Sequence, residues 1–155
     1  MSGALALWAA IPVAAAALIG QAFTTPNLAP WYETLAKPAF TPPNWIFGPV
    51  WTCLYVMMAV AFWRILRAPD GDPGRGEAIG LFLLQLVVNA VWSIAFFGLR
   101  SPGVGFGVIL VLLALIVATM RSFLAVDRAA GWLLAPYLAW VAFAAALNAA
   151  IWSLN

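Results

Sequence analysis

The chain has 155 residues, of which 66% are hydrophobic and 8% charged, and its mean hydropathy is +1.01. A soluble domain carries about 25% charged residues, and a chain this short has room for one domain, so the apolar excess is no hidden core and must face lipid. There is no histidine, one cysteine (Cys53) and a net charge of only +2, which excludes a Ser-His-Asp triad, an imidazole-held haem, an ordinary zinc site, an internal disulfide and a basic nucleic-acid patch.

The charges cluster, leaving uncharged runs at 1–32, 38–63, 78–99, 101–120 and 129–155. Each run holds the ~20 residues that cross a ~30 Å hydrocarbon layer as a helix, and backbone groups in lipid must be satisfied within the segment. The predicted fold is an all-α integral membrane protein, a single five-helix bundle. Helix 1 runs over about 4–23, and Pro12 is tolerable there because neighbouring helices re-satisfy the freed carbonyl. The first residues carry no Lys or Arg for a signal-peptide n-region, so the segment reads as a retained helix. Residues 24–44 hold five of the eleven prolines and read as a stiff first loop with one helical turn around 31–36. Proline stiffening lowers the entropy such a loop loses on packing down, and its Trp31, Tyr32, Phe40, Trp45 and Phe47 belong out of open water. The loop is therefore read as a lid over a cavity, with interfacial anchoring the alternative, above all for Trp31.

Helix 2 covers about 45–66, and the Gly, Pro and Asp of 68–76 form a hydrophilic turn. Helix 3 covers about 77–97, helix 4 about 103–124 and helix 5 about 130–154, with Pro136 near its start. Arg64, Arg67, Arg75, Arg121 and Arg128 share one side, against Lys37 and Arg100 on the other. In a bacterial inner membrane this places the N-terminus in the cytoplasm; inner and outer membrane are not distinguished. Gly76 with Gly80, and Gly103 with Gly107, have the spacing that lets helices approach closely, a homodimer signal.

Nine tryptophans are the most distinctive feature. Trp8, Trp63, Trp132 and Trp152 lie near helix ends and read as interfacial belts. Trp51, Trp92 and Trp140 lie deep in their runs, where an indole N–H needs a partner or a cavity. On helix 3, Gln85, Asn89, Trp92 and Phe96 recur at spacings of four, three and four, one stripe. Gln85 reads as interhelical glue, whereas Asn89 admits both glue and a polar handle in a binding cavity. Trp51, Tyr55, Met58 and Phe62 repeat the device on helix 2, as do Pro136, Trp140, Phe143 or Ala144, and Leu147 on helix 5. Such stripes suit either core packing or a flat hydrophobic ligand held by stacking and shape.

The stretch from Trp31 to Tyr55, WYETLAKPAFTPPNWIFGPVWTCLY, resembles the signature of the TspO/translocator-protein family, the tryptophan-rich sensory proteins once called peripheral benzodiazepine receptors. Gln85, Asn89, Trp92-Ser93 and Phe96-Phe97-Gly98 resemble its third helix, and Pro136-Tyr137 through Trp140, Phe143, Leu147 and Asn148 its fifth. The resemblance implies a cavity, capped by the first loop, for porphyrins, haem-related tetrapyrroles, cholesterol or benzodiazepine-site ligands, and a sensory or regulatory role in porphyrin metabolism. It also implies, as an alternative, light-dependent porphyrin breakdown by Trp51 and Trp140; porphyrin or lipid transport is a further alternative. The mammalian cholesterol motif is missing its aromatic and its cation, since Ala149 and Ser153 stand there. The expected ligand-binding set is Trp31, Tyr32, Pro42, Trp45, Phe47, Trp51, Tyr55, Asn89, Trp92, Trp140, Phe143, Ala144 and Leu147. Protoporphyrin IX is expected as ligand, with its propionates near Lys37 or backbone N–H groups of the loop. Membrane lipid is the surrounding partner, and neither an obligatory cofactor, a metal nor nucleic acid is expected.

Overall fold

A computed structural model describes residues 2–155. Five helices are long and apolar enough to cross a membrane: α1 (Ser2–Tyr32), α2 (Asn44–Leu66), α3 (Arg75–Gly98), α4 (Pro102–Val126) and α5 (Arg128–Leu154). The chain is a multi-pass integral membrane protein. Around the bundle, α1 lies beside α2 and α3, α3 beside α4, α4 beside α5, and the start of α5 beside α2, which closes the ring. Leu7, Trp8, Ile11, Leu18, Val56, Val87 and Val111 project outward as lipid-facing surface.

The helix limits follow the sequence reading except at the end of α1. The loop expected over 24–44 is shorter, because the helix continues through Pro26 to Asn27 and then makes one wide π turn, Leu28–Tyr32. Proline removes one backbone donor without forbidding its own helical φ. The break instead falls at Ala29 (φ −121°, ψ 135°), the residue that Pro30 crowds out of the helical region. Asn27 Nδ2 donates to the Phe23 carbonyl at 2.8 Å beside this break. Helical backbone persists through Thr34, so the non-helical connection is 35–43.

The bundle is solid in one half and hollow in the other. Toward the N-terminal side, Phe62, Phe82 and Phe123 stack with ring centroids 4.3 and 5.6 Å apart, among fully buried Met58, Ile65 and Ile116. Helices α2, α3 and α4 are thereby joined by close-packed rings. Toward the first loop, glycines allow some of the closest contacts. A Cβ on Gly98 would lie 2.8 Å from the Phe23 ring, and one on Gly103 would lie 2.9 Å from Trp152 Nε1. Gly103 is thus covered within the chain, while Gly76, Gly80 and Gly107 have open space. Of the expected belt residues, Trp8, Trp132 and Trp152 are exposed. Trp63 is half-buried, with the Arg67 guanidinium 4.6 Å above its ring.

At the N-terminal end, Asp127 joins two helices. Its Oδ2 accepts from Arg64 Nε and Nη2, both at 3.0 Å, and its Oδ1 caps α5 by accepting from Ala130 N–H at 3.0 Å. Partial burial pushes the carboxyl upward, but the Ala130 N–H and the Arg64 guanidinium outweigh it and hold Asp127 below its usual 3.8. A carboxyl depressed in the folded state stabilises the fold above its ordinary range and loses that contribution as pH falls through it. Asp127→Ala should therefore cost about 1–2 kcal/mol at neutral pH, chiefly through the lost cap. Melting in detergent should show the gap to the parent closing on acidification below pH ~4.

Candidate functional site

The hollow half encloses a cavity of about 420 Å³. Its floor is set by a chain of side-chain hydrogen bonds across three helices. Tyr55 on α2 donates to Asn89 Oδ1 at 3.2 Å, Asn89 Nδ2 donates to the Tyr137 hydroxyl at 2.8 Å, and Tyr137 donates to Gln85 Oε1 at 2.8 Å. Tyr55 and Asn89 face the cavity, while Tyr137 and Gln85 lie buried beneath it. Both readings of Asn89 therefore hold at once: it joins helices and it lines the site. Gln85 is glue, as expected.

The walls are the deep tryptophans. Trp51, Trp92 and Trp140 come from α2, α3 and α5 and all line the same cavity. Trp92 Nε1 donates to Asn148 Oδ1 at 3.1 Å, and Asn148 Nδ2 donates to the Pro102 carbonyl at 2.7 Å, which ties this wall to α4 and α5. Trp140 is held at its edges by Phe47 (6.0 Å) and Phe143 (5.4 Å), and its indole nitrogen is buried without a partner among the described residues. Tyr32, Trp45 and Phe47 close the loop end, and Ala144 and Leu147 complete the α5 wall.

Three expected residues stand behind the walls instead of in them. Trp31 packs edge-on against Phe96 and Phe97 (5.7 and 6.3 Å), so the π turn that carries Tyr32 to the cavity carries its neighbour away. Phe143 backs Trp140 and meets Phe40 at 6.1 Å. Pro42 lies in the connection, outside the lining. The Lys37 ammonium is not free for a ligand carboxylate. It donates to the carbonyls of Tyr32 (2.8 Å), Leu35 (3.1 Å) and Glu33 (3.3 Å) and sits 4.9 Å over the Tyr32 ring. It caps the end of α1, and among the described residues no charged side chain lines the cavity.

Sequence reasoning missed the contribution of α1. Gly20, Gln21, Thr24 and Thr25 line the cavity, with Ser93, Phe96 and Asn148 opposite. The available signal was the polar set Gln21, Thr24 and Thr25 at helical spacing in an apolar helix. Gly20 leaves space for the floor, since a Cβ there would lie 3.2 Å from Ser93 Oγ and 3.8 Å from the Tyr55 hydroxyl. Exposed Gln21, Thr25, Trp45 and Thr52 mark an opening between α1 and α2 on the loop side.

Fold and site together define a class: a helical membrane protein that encloses an aromatic cavity at the first-loop end of its bundle. The TspO/MBR family model matches residues 8–153, and the chain belongs to that family. It is 44% identical over 137 residues to the tryptophan-rich protein TspO of Chlorobaculum tepidum, covering 88% of this chain and 86% of that one. Identity to the tryptophan-rich sensory protein of Cereibacter sphaeroides is 36% (81% and 77% covered), and to the human translocator protein 34% (88% and 82% covered).

The connection between α1 and α2 contributes no residue to the cavity lining, and it is held by a two-way clasp. Ala36 N–H donates to Asn155 Oδ1 at 3.1 Å, and Asn155 Nδ2 donates to the Ala36 carbonyl at 2.9 Å. Asn155→Ala removes both bonds. Hydrogen exchange at the Ala36 amide should then quicken by about tenfold, the equivalent of one net hydrogen bond, while exchange in α3 stays as in the parent.

Proposed function

We propose that the protein binds a flat hydrophobic tetrapyrrole, protoporphyrin IX or a close relative, inside the membrane, and that this binding serves a sensory or regulatory role in porphyrin metabolism. The observation that carries the reading is the convergence of Trp51, Trp92 and Trp140 from three helices on one cavity without a charged lining. Its size falls in the ~300–1,000 Å³ range of small-molecule sites, and indole walls favour a flat π-system held by faces and edges. With Lys37 committed to carbonyls, acidic substituents are directed to the opening between α1 and α2. The sensory part of the reading is supported by the Cereibacter sphaeroides relative, a tryptophan-rich sensory protein. The tetrapyrrole is a ligand and not a resident cofactor, and Gly76, Gly80 and Gly107 leave helix surface for a second copy.

The absence of histidine gives the proposal its sharpest test. Iron finds no imidazole, so metal-free protoporphyrin IX should bind at least as tightly as haem when each quenches tryptophan fluorescence in detergent. Gly20→Leu, which fills the space over the floor, should weaken protoporphyrin at least tenfold. A low-spin haem spectrum with much tighter haem binding would overturn the reading. A second reading rests on Trp51 and Trp140 lining the same cavity: these indoles donate an electron or hydrogen to a photoexcited porphyrin. Illumination should then give less product with Trp51→Phe and Trp140→Phe, and unchanged product from both would remove it.

A further inference from the structure

The hydrogen-bond chain under the cavity has a direction, and the direction is fixed at its buried end. Gln85 and Met58 are 1% and 0% exposed, and Gln85 Nε2 lies 4.0 Å from Met58 Sδ. A thioether sulfur accepts weakly and never donates, so the amide nitrogen belongs on that side. The reverse orientation would set Gln85 Oε1 against sulfur, two acceptors facing each other in a buried site. With Oε1 turned to Tyr137, the Tyr137 proton is spent on Gln85 and its oxygen accepts from Asn89 Nδ2. Asn89 Oδ1 is then the group left to face Tyr55, and it can only accept, so the Tyr55 proton is spent on Asn89. What Tyr55 has left for the cavity is a lone pair.

We infer that this relay makes Tyr55 an acceptor-only group, so that the site selects ligands whose deepest polar group is an N–H or O–H donor. The inference rests on the cavity being a ligand site, as proposed above, and not on the ligand being a tetrapyrrole. Asn89 does not compete as a donor, because it is 2% exposed, whereas Tyr55 presents surface to the cavity. The nearby Ser93 hydroxyl rotates to give or accept and sets no preference. Gly20 keeps both hydroxyls reachable. A carbonyl or ether set against Tyr55 would meet its lone pair and find a donor there only by turning to Ser93. An N–H there would complete the relay, each bond polarising the next.

Carbazole and dibenzofuran test this, being flat tricycles of nearly the same shape that differ in a ring N–H against a ring oxygen. Their affinities for the full chain in detergent are measured by equilibrium dialysis, with partition into protein-free micelles subtracted. Carbazole should bind about tenfold tighter, the reach of one good hydrogen bond over an unmet acceptor. The ratio should fall toward one in Tyr55→Phe, checked for folding by helical circular dichroism and monodisperse elution. It should also shrink in Met58→Leu, which keeps volume but frees the Gln85 amide to turn. A merely structural role would weaken both probes together and leave the ratio alone. Equal affinities in the parent, no binding of either probe, or a ratio unmoved in the variants would overturn the inference. Protoporphyrin IX titrated in parallel separates the two readings: its failure to bind with the carbazole preference intact removes the tetrapyrrole proposal and leaves this one standing.

Discussion

The structure depends on a line of buried hydrogen bonds, Tyr55 to Asn89 to Tyr137 to Gln85, that joins α2, α3 and α5 inside the bundle. Lipid gives apolar helices no hydrophobic reason to associate, because tails are as apolar as Leu, so packing and interhelical polar contacts must specify the arrangement. Each amide and phenol in this line finds its partner on another helix, and an unmet group there would be costly. The helices can therefore satisfy their polar atoms only in one rotation about their own axes. That rotation also turns Trp51, Trp92 and Trp140 inward.

The line also divides the bundle. Beneath it, stacked Phe62, Phe82 and Phe123 fill the space between helices. Above it, rigid indoles and small residues such as Gly20 and Ala144 leave a gap that Tyr32, Trp45 and Phe47 close at the loop end. A solid half that carries the stability permits a hollow half whose walls are held at their edges, by Asn148 on Trp92 and by Phe47 and Phe143 on Trp140. The contacts that hold these walls lie behind them and do not depend on a bound molecule.

Much of this was legible in the sequence for physical reasons. Charges cannot sit in hydrocarbon, so they marked the ends of five spans, and the depth of Trp51, Trp92 and Trp140 separated them from belt residues. The end of α1 was not legible, because proline counts as a breaker by habit, whereas Pro26 fits within the helix and only the residue before Pro30 breaks it. Trp31 and Phe143 were misplaced because aromatic character says nothing of which side of a wall a ring occupies. The pairing of Asn89 with Tyr137 spans 48 positions and exists only once α3 and α5 meet. The wall supplied by α1 has no aromatic stripe, and its signal was a few hydroxyl and amide side chains in an apolar helix.

The capping role of Lys37 has a consequence beyond the end of α1. Because its ammonium is bound to three carbonyls, the cavity holds no formal charge and contributes almost no field of its own. A molecule passing from bilayer to cavity meets no counter-ion to exchange and no proton to gain or lose. For an uncharged guest, an equilibrium between bilayer and cavity would answer to shape and hydrogen-bond sense, and not to salt or transmembrane voltage. Occupancy of such a site would follow the guest's concentration in the lipid, much as a partition coefficient does.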